Sequence, residues 1–267
     1  MAPTIPDALE AWFSELKGSL TAFSGGVDSA LVLFLSREFL GDRGIGVIAD
    51  SPSLKREDLA IAHQFCRSHD ITLRVIHPRE IDDPNYAANP VDRCFHCKSN
   101  LYTELHHIRS EYPGYTLLNG TNADDIGDYR PGLKAAEENA IRSPLADCGL
   151  TKAAVRELAR ALGLEVWDKP ASPCLSSRIP YGQPVTVEKL TRIENAETIL
   201  AGLGFKQVRV RHFDSTARIE VPAVDLHRLE EALPQITSAF ADLGFTAVEM
   251  DAEGLVSGKL NRAIGRA

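Results

Sequence analysis

The chain has 267 residues, 44% hydrophobic and 25% charged, an ordinary globular composition long enough for one large domain and a smaller one, which sets aside disordered and fibrous classes. Acidic residues outnumber basic ones, 37 to 29, and the net charge of −8 argues against a broad nucleic-acid-binding surface. MAPTIPDALEAWF has no basic flank leading into an apolar run, no stretch approaches the roughly 20 apolar residues that span a bilayer, and five cysteines, an odd number, suit a reducing compartment. The expectation is a cytoplasmic protein with neither membrane nor nucleic acid as partner.

In chain order, Asp7 to Lys17 reads as a helix and Ser19 to Phe23 as a short buried strand. SGGVDS follows, then an apolar helix over Ala30 to Phe39. GIGVIAD is a second strand ending at Asp50, LKREDLAIAHQFCRSHD has helical periodicity, and ITLRVIH is a third strand. The rhythm resumes with YTLLNGT as strand and turn, and with TKAAVRELARALGL as a helix capped by Thr151. Strand and helix in alternation predict an α/β fold with a doubly wound parallel sheet. After a Pro/Ser-rich passage from Lys169 to Pro184 come a helix, two strands (KQVRVRHF and ARIEVP), a second helix and a last strand, AVEMDA. That order predicts a small α+β domain over residues 183–267, beside a larger one over 1–182.

Ser24, Gly25, Gly26, Val27, Asp28 and Ser29 lie between the first strand and its helix, where backbone amides meet phosphate. The glycines let the backbone approach phosphate oxygens and turn successive N–H groups into one concavity. Ser24 and Ser29 add hydroxyls. Asp28 would repel bare phosphate, so its presence predicts Mg²⁺ between carboxylate and phosphate. The spacing is neither a Walker loop nor a dinucleotide fingerprint. It resembles the PP-loop of N-type ATP pyrophosphatases, a resemblance that implies ATP cleavage between the α and β phosphates. Two more segments end strands where such a fold binds nucleotide. One holds Asp50 and Ser51. The other, NGTNADD, holds Gly120, Thr121, Asn122 and Asp125, and looks like the GTxNxxE segment of NAD synthetase. Asp125 joins Asp28 as a Mg²⁺ candidate, and Arg142 in IRSPL is a further candidate for the ATP site.

Cys94 and Cys97 form one CxxC, and Cys174 stands in ASPCLSSRIPYG. A lone CxxC is half a zinc site or a redox pair. With Cys174, three thiolates from two loops can instead hold a [4Fe-4S] cluster with one open iron. Arg178 and Lys169 flank Cys174 in sequence, and positive neighbours raise a thiol's thiolate fraction. The catalytic set expected is therefore Cys174, Asp28 and Arg178. Cys66 and Cys148 read as ordinary residues.

SGGVDS, ADSPSL, RCFHCK, NGTNADD with GDYRPG, RSPL and DKPASPCLSSRIPYG together make the whole chain similar to the LarE family of ATP-dependent sulfur transferases. The resemblance implies adenylation of a carboxylate of pyridinium-3,5-biscarboxylic acid mononucleotide, and displacement of AMP by sulfur to give the thiocarboxylate of the nickel-pincer nucleotide cofactor. It also implies a homo-oligomer and a small-molecule nucleotide as partner. One group of the family sacrifices a single cysteine, matching Cys174. The other has three cysteines and draws on a cluster-bound sulfide, and this chain looks like the second. Arg209 and Arg211 lie two apart on a strand and so share a face. They suit the substrate's phosphate or carboxylate, or alternatively a salt bridge to Glu220 on the next strand. The competing readings are a tRNA thiolase, an NAD synthetase-like amidating ligase, or a nucleotide-binding module without turnover.

Overall fold

A computed structural model of the chain describes residues 5–126 and 131–256, together with Lys259, Arg262 and Gly265. The GDYR part of the motif GDYRPG, residues 127–130, lies outside the described residues. Two compact units divide the chain, Met1–Glu80 with Asp92–Ser172, and Ile81–Val91 with Pro173–Ala267.

The first unit begins with α1 (Asp7–Ser14), β1 (Ser19–Ala22), α2 (Val27–Leu40), β2 (Gly44–Ala49), α3 (Arg56–Ser68) and β3 (Leu73–Ile76). A single turn, α4 (Pro84–Ala87), belongs to the second unit, after which the first resumes with α5 (Arg93–Arg109), β4 (Thr116–Leu118), α6 (Pro131–Glu138), α7 (Pro144–Asp147) and α8 (Lys152–Ala161). The sheet order is β3-β2-β1-β4, all parallel, with Leu20 opposite both Ile45 and Leu117. Crossover helices cover both faces of such a sheet, so its strands are apolar throughout rather than alternating. Leu31, Leu35, Phe65 and Val155 pack on one side, and Tyr102, Leu105, Ala135 and Ile141 on the other. This is the α/β parallel fold expected from the sequence. Strand order runs outward from β1 through β2 to β3 and then returns to the opposite side of β1 for β4, so a crevice opens at the carboxyl ends of β1 and β4.

Two details differ from the sequence expectation. The helix after β1 starts at Val27 rather than Ala30, so Asp28 and Ser29 belong to its first turn. Cys94 and Cys97 lie at the start of the 17-residue α5 rather than in a loop. Tyr102, Leu105 and Ile108 bury one stripe of that helix at three- and four-residue spacing, and this anchoring extends regular structure back through the CxxC.

The second unit adds α9 (Val187–Gly202), β5 (Arg209–Phe213), β6 (Thr216–Glu220), α10 (Leu226–Asp242) and β7 (Ala247–Met250). Its sheet runs β5-β6-β7, with β5 and β6 antiparallel and β6 and β7 parallel. Leu200, Phe205, Val210, Ile219, Leu229 and Phe240 make its core. Residues 81–91 brace the turn that carries Cys174. The Asn89 side-chain amide donates to the carbonyls of Ile179 (3.3 Å), Pro180 (2.7 Å) and Gln183 (3.0 Å), and Tyr86 Oη meets Ser176 Oγ at 2.6 Å. No helix among the described residues is long and apolar enough to cross a membrane.

His212 on β5 is 1% exposed and neither ring nitrogen has a hydrogen-bond partner. Burial, then the charges of Arg192 and Lys189, lower its pKa from 6.5 to about 4. Between those values the unfolded chain binds a proton that the folded one refuses, so acid favours unfolding. Stability is therefore expected to fall by about 2 kcal/mol between pH 6.5 and pH 4.5 on this residue's account. Urea denaturation at the two pH values checks it: H212F is expected to lose that part of the acid sensitivity, and an unchanged pH difference would contradict the assignment.

Candidate active site

The loop after β1 closes on itself through its serines. Ser29 Oγ donates to the Gly26 carbonyl (3.1 Å), accepts from the Ser24 backbone N–H (3.2 Å) and meets Ser24 Oγ at 3.1 Å. Gly25 takes the left-handed φ of +71°, and a Cβ there would stand 3.2 Å from the Asp58 carbonyl oxygen. Underneath, Lys169 Nζ donates to the Gly25 carbonyl at 2.9 Å and pairs with Asp58 at 2.8 Å. Ser172 Oγ holds the other oxygen of Asp58 at 2.7 Å. The sequence set Lys169 beside Cys174 as a neighbouring cation. Instead its ammonium buttresses the phosphate loop.

The second wall follows β4. Asn119 Oδ1 accepts from the Thr121 backbone N–H (3.0 Å) and from Ser143 Oγ (2.7 Å). Asn122 and Asp125 cap one another's backbone as a capping box, which satisfies the first amides of the turn. Asn122 Nδ2 also crosses to Asp28 Oδ1 at 3.1 Å, and the other oxygen of Asp28 meets the ammonium of Lys152. Gly120 makes the two walls fit, because a Cβ there would lie 2.5 Å from Ser29 N and 2.8 Å from Ser29 Cα. Gly120→Ala is expected to push the walls apart, costing about 1–3 kcal/mol of stability and raising the ATP KM. Urea denaturation and ATP kinetics check it, and wild-type values in both would contradict it.

Between these walls lies a cavity of about 240 Å³. Ser24, Asp28 and Ser29 line one side, and Gly120, Thr121 and Asp125 the other. Lys98 and Tyr102, on α5, complete it. The sequence reading stopped at the CxxC and missed Lys98, although it lies four residues beyond Cys94 and so shares its helix face. Both carboxylates that line the cavity are hard oxygen donors of the kind Mg²⁺ takes, so the residues present fit that ion.

Other expected site residues lie elsewhere. Asp50 and Ser51 follow β2, on the same sheet edge, but do not line the cavity. Asp50 pairs with Arg56, and Ser51 Oγ joins a buried chain through Ser53 (2.9 Å) to Glu80 (3.1 Å). Arg142 lies over the Trp12 ring at 4.4 Å and reaches Asp147 at 3.5 Å, also away from the cavity.

In the second unit Cys174 is exposed and precedes a 3-10 turn, Leu175–Arg178. Arg178 is 1% exposed. Its guanidinium binds Glu197 through Nε (2.8 Å) and Nη2 (3.2 Å), and Nη1 donates to the Pro173 carbonyl (2.8 Å) and, at 3.3 Å, to that of Cys174. It shapes the cysteine's turn through the backbone. Arg211 makes the alternative pairing weighed from sequence, holding Glu220 through Nε (3.0 Å) and Nη2 (2.9 Å). Arg209 reaches only the Val256 carbonyl, at 3.5 Å, and has no carboxylate partner among the described residues. Burial and the cations of Arg178 and Arg211 lower its pKa. It is the cation of this cluster whose charge is least compensated.

Cys94 and Cys97 lie in the first unit and Cys174 in the second, so neither unit alone gathers three thiolates. Among the described residues no group of three or more His, Cys, Asp or Glu side chains is assembled to hold a metal. Cys66 is buried, which pushes its thiol up to about 12.

No family model matches the chain. It is 43% identical over 258 residues, 96% of each chain, to an uncharacterized protein of Synechocystis. It is 34% identical over 260 residues, 97% of this chain and 94% of the relative, to the pyridinium-3,5-bisthiocarboxylic acid mononucleotide synthase of Lactiplantibacillus plantarum. The chain belongs to the family of that synthase, LarE. A more distant likeness, 27% identity over 221 residues, joins this LarE-family chain to one of the subunits of the glutamine-hydrolyzing GMP synthase of Sulfurisphaera tokodaii. That match covers 74% of the chain and 59% of the relative.

Proposed function

We propose that this chain is an ATP-dependent sulfur transferase that adenylates a carboxylate of pyridinium-3,5-biscarboxylic acid mononucleotide and converts it to the thiocarboxylate. The observation that carries the reading is the cavity at the β1/β4 crevice, walled by SGGVDS and NGTNADD, in a chain 34% identical over 97% of its length to a synthase of the bisthiocarboxylic acid mononucleotide.

A carboxylate is a poor electrophile because its leaving group would be oxide. In the proposed first step a carboxylate oxygen bonds to the α-phosphorus of ATP and the bond to pyrophosphate breaks, leaving an acyl-adenylate. In the second, sulfur bonds to the acyl carbon, and AMP departs with the former carboxylate oxygen. The loop serves the leaving group: the first amides of α2 and the hydroxyls of Ser24 and Ser29 receive the pyrophosphate. Asp28 and Asp125 would hold Mg²⁺, which when bound offsets phosphate charge. Lys169 and Gly120 keep the loop in shape, and Lys98 offers a further cation along the cavity wall.

We assign Cys174 to sulfur delivery. The sulfur it delivers is either its own or a sulfide on an iron–sulfur cluster that Cys94, Cys97 and Cys174 would hold. Arg209, which has no carboxylate partner of its own among the described residues, is assigned to the substrate's phosphate or second carboxylate. Arg209→Met is expected to raise the substrate KM about tenfold or more and to leave the ATP KM near wild type, and steady-state kinetics with each varied in turn check it. Equal effects on both would point to a structural role.

The function itself is tested by supplying Mg-ATP with and without the biscarboxylated nucleotide. Substrate-dependent release of AMP and pyrophosphate is expected. Release of ADP and orthophosphate, or no turnover, would remove the reading.

A further inference from the structure

Lys152 is the first residue of α8, and nothing in the proposed chemistry has yet used it. Its backbone N–H donates to Asp124 at 2.8 Å, and Thr151 Oγ1 caps the helix by accepting from Ala154 N at 3.3 Å. Neither bond depends on the Lys152 side chain. The side chain turns instead to Asp28, 124 residues away in sequence, and pairs with one oxygen of its carboxylate while Asn122 serves the other. The two side chains are 39% and 22% exposed, so the pair borders solvent rather than being sealed in the core.

Asp28 also lines the cavity where phosphate and a divalent cation are expected. An ammonium and a divalent cation on one carboxylate oxygen would stand within a few ångströms of each other and repel, so they compete for it. An unpaired Asp28 at the head of α2 would also leave a bare anion where pyrophosphate must enter. A lysine suits the post better than an arginine: its compact charge rides on a flexible four-carbon stem and can leave without moving the helix. Asn122, held by the capping box, keeps Asp28 aligned when the ammonium goes.

We propose that Lys152 is a positioning residue that holds the Asp28 carboxylate in place of a divalent cation and yields that place when metal and nucleotide arrive, its ammonium then turning to the pyrophosphate oxygens. The proposal rests on the ATP-and-metal reading of the cavity.

The test is binding, not turnover. Mn²⁺ alone is titrated into wild-type protein, K152Q, K152M, K152R and D28N, and free Mn²⁺ is read by electron paramagnetic resonance. Thermal melts check that each variant is folded. With its competitor gone, K152Q is expected to bind Mn²⁺ about tenfold more tightly than wild type. The same variant should bind magnesium pyrophosphate about tenfold more weakly, while K152R stays near wild type in Mn²⁺ binding. K152M, which cannot hydrogen-bond, should follow K152Q. Wild-type Mn²⁺ affinity in both neutral variants, with binding lost in D28N, would overturn the role of Lys152 and leave the metal site standing. Unchanged Mn²⁺ binding in D28N would overturn both.

Discussion

Replacing Cys174 with alanine is expected to lower thiolated product by more than about a thousandfold, because the variant lacks the nucleophile that delivers sulfur. Pyrophosphate formation in the first turnover should survive, with AMP held in the acyl-adenylate, since the cavity that binds ATP is lined by the first unit and Cys174 belongs to the second. The protein should remain folded. Cys174 is exposed, and the contacts that shape its turn come from Arg178, Tyr86 and Asn89 rather than from the thiol. Intact mass of anaerobically purified wild-type protein before and after turnover adds the origin of the sulfur. A polypeptide lighter by one H₂S means that Cys174 gave up its own sulfur, and an unchanged mass beside thiolated product means that sulfur was carried in. A normal product yield from Cys174→Ala would remove the assignment altogether.

Asp28→Asn is expected to slow adenylation by about 10²–10³-fold, the cost typical of removing one preorganised electrostatic group from a transition state. The amide keeps the shape of the carboxylate and can still meet Asn122 across the loop, but it is a poor ligand for a hard cation. It also frees the Lys152 ammonium, whose attraction to phosphate partly offsets the loss in ground-state binding. The effect should therefore fall on kcat for pyrophosphate release more than on the ATP KM. Stopped-flow or coupled detection of pyrophosphate measures it, and a wild-type rate would remove Asp28 from the machinery.

Much of this was legible in the chain because it is local. SGGVDS needs only its own glycines and its position between a buried strand and a helix to announce a phosphate loop. The alternation of short apolar strands with amphipathic helices gave the parallel sheet directly. What stayed hidden depends on which distant segments meet. Lys169 reaches Gly25 across 144 residues, and no pattern near either residue encodes that meeting. Arg178 was read as a cation beside a thiol, but Glu197, 19 residues on, binds it in the interior. Arg209 and Arg211 looked equivalent by strand periodicity, and although the hairpin register sets Glu220 opposite Arg209, it is the Arg211 side chain that reaches across to bind Glu220, leaving Arg209 without a carboxylate partner of its own among the described residues. The CxxC concealed its helix because cysteines and a histidine obscure the apolar stripe that begins at Tyr102.

The central claim, that ATP activates a carboxylate which then exchanges oxygen for sulfur, is tested most directly with substrate labelled with ¹⁸O in its carboxylates. Bond formation between that oxygen and the α-phosphorus, followed by sulfur attack at the acyl carbon, must leave label in AMP. The account predicts ¹⁸O-labelled AMP in step with thiolated product. Thiolated product with unlabelled AMP would show that the carboxylate never bonded to the α-phosphate, and would contradict it.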